Sequence, residues 1–315
     1  MIKSNKKIAI TTGDVNGIGA EITIKALNKL NLPKDNVVLI SNSNVLNFYE
    51  KLNKGYEILE IDFDKKNIAP GKITKESGEF SFQCLKKACE TAKKGKIDAI
   101  VTAPVAKEAL HSAGHKFNGQ TEVLQHFLAK KNQKAEMLFV AKDFRVLLLT
   151  RHVPLKEIGL KKEEIIEKIT NSDKFFKEKF KIKAPKFALC ALNPHAGEGG
   201  ILGHEEIEIL QPAVDELRKK RISITNPLPA DTLFIGAAKA YLKNNSLPFD
   251  CYISCYHDQG LIPIKSVASD KTVNMTIGLD VIRTSPCHGT AFDIAGKNIA
   301  SEQSMVEAIS TVLNL

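Results

Sequence analysis

Apolar runs of four to eight residues alternate with longer stretches of helical period along almost the whole chain. Runs of strand length lie at 7–12, 36–41, 98–103, 136–141, 145–150, 186–192 and 251–256. Residues 20–30, 78–94, 122–131, 161–180, 205–220, 235–243 and 301–313 carry apolar positions at helical spacing. Strands and helices taking turns at these lengths predict an α/β protein with a largely parallel sheet. The length, 315 residues, and the number of elements suit two lobes better than one. No linker rich in Pro, Ser or Gly marks the join, and no repeat or low-complexity tract appears.

Composition narrows the classes of protein this can be. A hydrophobic content of 43% fills one large core or two moderate ones, and 26% charged residues is ordinary for a globular domain. No stretch approaches the roughly 20 apolar residues of a membrane-spanning helix. The chain start runs straight into a short strand-like segment, too short for a secretory signal, so a cytoplasmic location is expected. Cys84, Cys89, Cys190, Cys251, Cys255 and Cys287 form no CxxC pair and are expected as reduced thiols, several of them buried. The net charge of +9 comes mostly from lysines spread over helical stretches such as Lys86-Lys87 and Lys161-Lys162. No aromatic-interleaved basic block accompanies it, so no nucleic-acid partner is expected. A solvated lysine-rich surface accounts for most of the charge, and a basic cleft for a phosphorylated ligand would use part of it.

In open α/β sheets functional groups gather just past the carboxyl ends of strands. Three of the eight histidines occupy such places: His152, His195 and His257. One histidine at a strand end is more often a satisfied structural residue than a ligand; three in equivalent places put a shared site level with that reading. Their neighbourhoods are Leu149-Thr-Arg-His-Val-Pro-Leu155, Leu192-Asn-Pro-His-Ala-Gly-Glu-Gly-Gly200 and Tyr256-His-Asp-Gln-Gly-Leu261. Further blocks are Thr12-Gly-Asp-Val-Asn-Gly-Ile-Gly19, Thr102-Ala-Pro-Val-Ala-Lys107, Asn118-Gly-Gln-Thr-Glu122, Pro227-Leu-Pro-Ala-Asp-Thr232, Val273-Asn-Met-Thr-Ile-Gly278, Ile282-Arg-Thr-Ser285 and His288-Gly-Thr-Ala-Phe-Asp293.

In this order the blocks resemble the 4-hydroxythreonine-4-phosphate dehydrogenase family of the pyridoxal phosphate pathway, from about residue 7 to the C-terminus. The resemblance implies an isopropylmalate/isocitrate dehydrogenase-like fold of two α/β/α lobes with a central cleft, working as a homodimer. It sets the lobes at 1–118 with 260–315, and at 119–259, the second carrying the dimer interface. It implies that His152, His195 and His257 bind one divalent metal per subunit at that interface, with both chains contributing. Gln120, Thr121, Lys265, Asn274 and Arg283 match the substrate-binding positions, and NAD or NADP accepts the hydride. Two departures stand out. Many members have Gly-His-Thr-Glu where this chain has Gln120, which hydrogen-bonds but exchanges no proton near neutral pH. Many also have Asp before His-Gly-Thr, where this chain has Cys287.

The chemistry agrees with the residue types. Oxidation of a secondary alcohol releases a proton and a hydride, and a divalent cation on the hydroxyl favours both. Neutral imidazoles suit zinc or cobalt better than magnesium, which prefers oxygen ligands. Asp258, next to His257, reads as a carboxylate that orients a ligand or adds one, and with Lys265 as a catalytic candidate. Taken alone, Arg283 also reads as a surface ion pair, Lys265 as one of many lysines, Asn274 as a turn or edge residue, and Thr121 as a helix N-cap. Gly13, Gly17 and Gly19 lack the Rossmann spacing and read as a flexible strand-to-helix loop able to approach a ligand. The expected reaction is oxidation and decarboxylation of 4-phosphooxy-L-threonine. The rivals are a dehydrogenase of threonate or erythronate 4-phosphate, a metal-dependent phosphohydrolase, and a non-catalytic binding module.

Overall fold

The computed structural model describes residues 4–315. They divide into two compact units: residues up to Ala135 together with Val273–Leu315, and Glu136–Thr272. The joins fall later than 118/119 and 259/260. Helix α5 (Gln120–Leu128) stays in the first unit because it packs on α3 (Lys75–Lys93), and α9 (His257–Ala268) stays in the second, against the strands it follows.

The first unit's strands are β1 (Ile8–Thr11), β2 (Val37–Ser41), β3 (Glu57–Glu60), β4 (Ala99–Thr102), β10 (Val273–Ile277) and β11 (Ile282–Pro286). Their order is β3-β2-β1-β4-β11-β10, all parallel except β10, which runs against β11. Every residue of β1, β2 and β4 is buried, which is why these strands read as unbroken apolar runs rather than alternating ones. The helices are α1 (Gly19–Leu30), α2 (Ser43–Tyr49), α3, α4 (Lys107–Ser112), α5 and α10 (Gln303–Leu313). Thr74 caps α3 by accepting from the Ser77 N–H. Phe80, Cys84, Ala88 and Cys89 of that helix pack with Ala9, Val38 and Ile100 in one cluster. Each large apolar side chain there contributes roughly 1.5–3 kcal/mol relative to exposure.

The second unit is built from β5 (Glu136–Ala141), β6 (Phe144–Leu148), β7 (Lys186–Leu189), β8 (Ser223–Ile224) and β9 (Cys251–Ser254). The order β5-β6-β9-β7-β8 is parallel apart from the β5–β6 hairpin. Helices α6 (Lys162–Glu178), α7 (Gln211–Lys219), α8 (Ala230–Leu242) and α9 complete it. Phe176, fully buried, meets Phe187 of β7 with ring centroids 5.5 Å apart. As the composition led us to expect, the six cysteines form no disulfide, and five of them are buried. No helix among the described residues is long and apolar enough to cross a membrane.

Candidate active site

Strands β6, β9 and β7 lie side by side and parallel, so their carboxyl ends open at one edge of the second unit's sheet. His152, His257 and His195 each follow one of these ends. Backbone pairing continues past the strands: the Leu149 N–H donates to the Ser254 carbonyl (2.8 Å), and the Thr150 hydroxyl to that of Cys255 (2.7 Å). Gln259 ties the edge together, accepting from the Cys255 N–H and donating to the Ala191 carbonyl, both at 2.7 Å.

This framework sets His152 beside His257, with ring centroids 5.5 Å apart. Two imidazoles sharing one ion, with metal–nitrogen bonds of about 2.1 Å, would have centroids about 5 Å apart, so the pair fits a divalent transition metal. His257 Nδ1 lies 2.7 Å from Asp258 Oδ1, so the carboxylate holds that nitrogen and leaves Nε2 for a ligand role. Among the described residues no three His, Cys, Asp or Glu side chains stand together as a metal-binding group. The single chain therefore gathers two histidines, and His195 is not brought into their group. Lys265 lies on α9 seven residues after Asp258 and so on the same helical face.

His195 sits in a loop of unusual backbone. His195, Ala196, Gly197, Glu198 and Gly199 all have positive φ, between 47° and 76°. Left-handed backbone costs a non-glycine residue roughly 1–2 kcal/mol, so three such residues in a row of five must be held by their surroundings.

The first unit gathers another set. Arg283, on β11, is 3% exposed and donates from Nε to Thr102 Oγ1 at 2.8 Å. Burial pulls its guanidinium down to about 10, with the Glu122 carboxylate opposing the shift, so it stays cationic at neutral pH. The surface ion-pair reading of Arg283 is thereby ruled out. Gln120 donates from Nε2 to the Ala103 carbonyl at 3.1 Å, one residue beyond Thr102. Since a carbonyl only accepts, this bond also fixes which end of the amide is which, leaving Oε1 buried without a partner. Thr121 is buried in the first turn of α5, whose N-cap is Gly119 in extended backbone, so Thr121 is not the cap. Asn274 faces Ser285 across the β10–β11 hairpin, its Oδ1 buried and unpartnered. Arg283 and Gln120 thus both bond to the end of β4, with Thr121 next to Gln120 in α5 and Asn274 on the adjoining hairpin.

The glycine-rich loop after β1 departs from expectation. Residues 12–20 are all buried, so this is not a flexible loop open to a ligand. Its polar groups are used internally: Asn16 N–H donates to Asp14 Oδ1 (2.9 Å), and Asn16 Nδ2 to the Lys72 carbonyl (2.9 Å). Gly13, at φ 70°, lies so close to the Pro104 carbonyl that a Cβ would stand 2.2 Å from it. Burial pushes the Asp14 carboxyl up from 3.8 to about 6. Gln259 and Thr102 lay inside motifs quoted from the sequence, but nothing in sequence pattern gave either its partner.

The fold is that of the two-unit α/β dehydrogenases. Isocitrate dehydrogenase from Methylococcus capsulatus shares it with a TM-score of 0.52 at 14% identity, covering 98% of this chain and 85% of that one. The family described as pyridoxal phosphate biosynthetic protein PdxA matches residues 7–312, and the chain belongs to it. The 4-hydroxythreonine-4-phosphate dehydrogenase of Sulfurihydrogenibium sp. is 38% identical, with 98% of each chain covered. A relative from Oceanobacillus iheyensis named for D-threonate 4-phosphate dehydrogenation is 37% identical over 98% of this chain and 97% of its own. A crystal structure of 4-hydroxythreonine-4-phosphate dehydrogenase from Klebsiella pneumoniae superposes with a TM-score of 0.85 at 34% identity, covering 98% and 97%. The chain is accordingly an enzyme, a dehydrogenase of a CH–OH group, and such a dehydrogenase implies a nicotinamide cofactor.

Proposed function

We propose that this chain oxidises the 3-hydroxyl of 4-phosphooxy-L-threonine in the cytoplasm, passing the hydride to NAD or NADP. The product, 2-amino-3-oxo-4-phosphooxybutanoate, is a β-keto acid and loses carbon dioxide to give 3-amino-2-oxopropyl phosphate. The observation that carries this reading is the paired His152 and His257 at the ends of adjacent parallel strands, in a chain of this family. His152, His195 and His257 would hold one divalent ion, zinc, cobalt or magnesium, with imidazole ligands favouring the first two. When bound, the ion supplies Lewis acidity, which eases loss of a hydroxyl proton and draws electrons toward a ketone during decarboxylation.

The remaining roles belong to the chain's own residues. Asp258 fixes the His257 ring through Nδ1. Arg283, already held by Thr102 and buried, meets an anionic group of the substrate without reordering. Lys265 contributes a second positive charge. Gln120, Thr121 and Asn274 supply hydrogen bonds, and the two buried amide oxygens await donors.

The working unit in this proposal is a homodimer with the site at the subunit interface. Val153, Leu155, Ile201, Leu202 and Ile262 are 42–79% exposed and lie within seven residues of one of the three histidines. Isolated apolar residues need no explanation, but five flanking the three histidine positions favour a covering partner. A second substrate reading rests on Gln120: the Oceanobacillus relative is named for a sugar-acid phosphate, so threonate or erythronate 4-phosphate is the alternative.

The deciding experiment follows NAD(P)H at 340 nm with each substrate, with and without zinc, cobalt or magnesium. Metal-dependent turnover of 4-phosphooxy-L-threonine supports the proposal. Turnover of the sugar-acid phosphates alone transfers it to the alternative. Phosphate release with no absorbance change would replace both with hydrolysis.

A further inference from the structure

The left-handed turn carrying His195 has an identifiable anchor outside itself. Glu206 is 5% exposed and begins a single π-helical turn, Glu206–Leu210, that leads into α7. Its Oε1 accepts from the backbone N–H of both Leu192 and Asn193, each at 2.8 Å. Its Oε2 accepts from Asn193 Nδ2 at 2.9 Å. A Cβ on Gly197, in the middle of the turn, would stand 2.8 Å from the same Oε2. The carboxylate therefore grips the entrance of the loop and lies against its centre. The Leu202 N–H closes the far side by donating to the Gly197 carbonyl at 3.0 Å.

A run of left-handed residues persists only when its neighbours over-determine it. Three N–H donors on one buried carboxylate, at the residues where the backbone turns toward His195, are such a determinant. With both oxygens engaged and almost no exposure, Glu206 meets no solute, so any effect on chemistry must pass through the loop. A π-turn suits this, since such bulges redirect side chains that a regular helix would space differently.

We infer that Glu206 is a positioning residue for His195, its carboxylate fixing the left-handed turn that aims the imidazole. The inference rests on His195 being a metal ligand, as proposed above. Glu206→Gln is the variant of choice because it keeps size and neutralises the charge. One amide oxygen can still serve the two backbone donors, while the amide nitrogen then opposes Asn193 Nδ2.

The test measures cobalt affinity of the full-length protein by chelator competition, in wild type, Glu206→Gln, His195→Ala and the double variant. Amide hydrogen exchange over residues 192–203 is followed in metal-free protein alongside. Groups that orient metal ligands typically contribute about 10- to 100-fold in affinity, and a loss of that size is expected for Glu206→Gln. Exchange at 192–193 should rise without a matching rise in β6 and β9. In the His195→Ala background the same substitution should cost less than about twofold, because the group it positions is gone. Equal losses in both backgrounds, or unchanged exchange and affinity in Glu206→Gln, overturn the positioning role. Full cobalt affinity in His195→Ala instead removes His195 from the metal site, a failure of the earlier reading that this comparison identifies separately.

Discussion

Asp14 offers the sharpest quantitative check on the structure. Its side chain is fully shielded in the loop after β1, with burial the dominant influence. The groups facing it are the Asn16 N–H at 2.9 Å, the Ser77 hydroxyl at 3.4 Å and the Ala106 N–H, all of which oppose the shift without cancelling it. Burial chiefly, with the Asp14 and Glu21 carboxylates adding to it, raises the nearby Tyr49 phenol well above the ordinary value. A carboxyl lifted from 3.8 to about 6 corresponds to about 3 kcal/mol between the two protonation states. The sign follows from proton counting. Between those two values the folded chain holds a proton that the unfolded chain has lost, so stability from this group falls as pH rises through the window. Below about 4 and above about 6 its contribution is level.

Replacing Asp14 with Asn removes the titration and keeps an oxygen for the Asn16 N–H, while the new amide can donate to Ser77. Urea denaturation of both proteins at pH 4, 5, 6 and 7, with one spectroscopic probe, reads the difference. The stability of wild type relative to Asp14→Asn should drop by about 2.4 kcal/mol from pH 4 to pH 7, about 2 kcal/mol of it before pH 6. Parallel curves across that range would mean that the carboxyl is solvated or paired in solution, refuting the buried loop. A relative gain with pH would mean the opposite environment, a carboxylate stabilised by the fold.

Three further outcomes are expected. Arg283→Lys should lower kcat/KM by at least about 30-fold, the equivalent of about 2 kcal/mol for a buried charged contact, with a thermal midpoint close to wild type; activity within threefold of wild type would remove Arg283 from substrate binding. Gln120→His should leave kcat/KM for 4-phosphooxy-L-threonine within about threefold if the position only hydrogen-bonds, because a neutral imidazole N–H can replace the amide donor to Ala103; a tenfold gain would mark the natural chain as re-specialised. Ile262→Asp, on the exposed side of α9, should shift sedimentation from dimer to monomer at micromolar concentration, and an unchanged dimer would locate the interface elsewhere.

The parts of the molecule that could be read beforehand share a physical cause. Strands β1, β2, β4, β6 and β9 are buried at every residue and meet that burial with mostly apolar sequence, so each announced itself. Strand β3 did not, because its charged ends and half-exposed centre, Glu57–Glu60, leave no apolar run. Strands β10 and β11 carry Asn274, Thr276, Arg283 and Ser285, whose polarity hid a hairpin that is nonetheless largely buried. Helix α9 was masked by Pro263 and by its start at the motif histidine. The candidate site followed the same logic one level up. That each histidine follows a strand was legible, since it needs only the strand ends. That His152 meets His257 depends on β6 lying next to β9, a neighbour relation between segments about a hundred residues apart that no local pattern encodes.

The supporting residues were the least legible, and this is what their chemistry requires. Gln259 and Glu206 act by accepting backbone N–H groups, which every residue but proline owns, so their partners leave no signature in sequence. The side chains that would touch substrate or metal are chosen by type and can be recognised by type. Those that hold them in place are chosen by position, and only the folded backbone states the position. The left-handed turn at His195 joins the two kinds: its histidine was recognisable by type, whereas the buried Glu206 carboxylate that grips the entrance of the turn is known only from the fold. A histidine on a free loop would have to be ordered at each binding event, and ordering it beforehand in the fold lowers that cost.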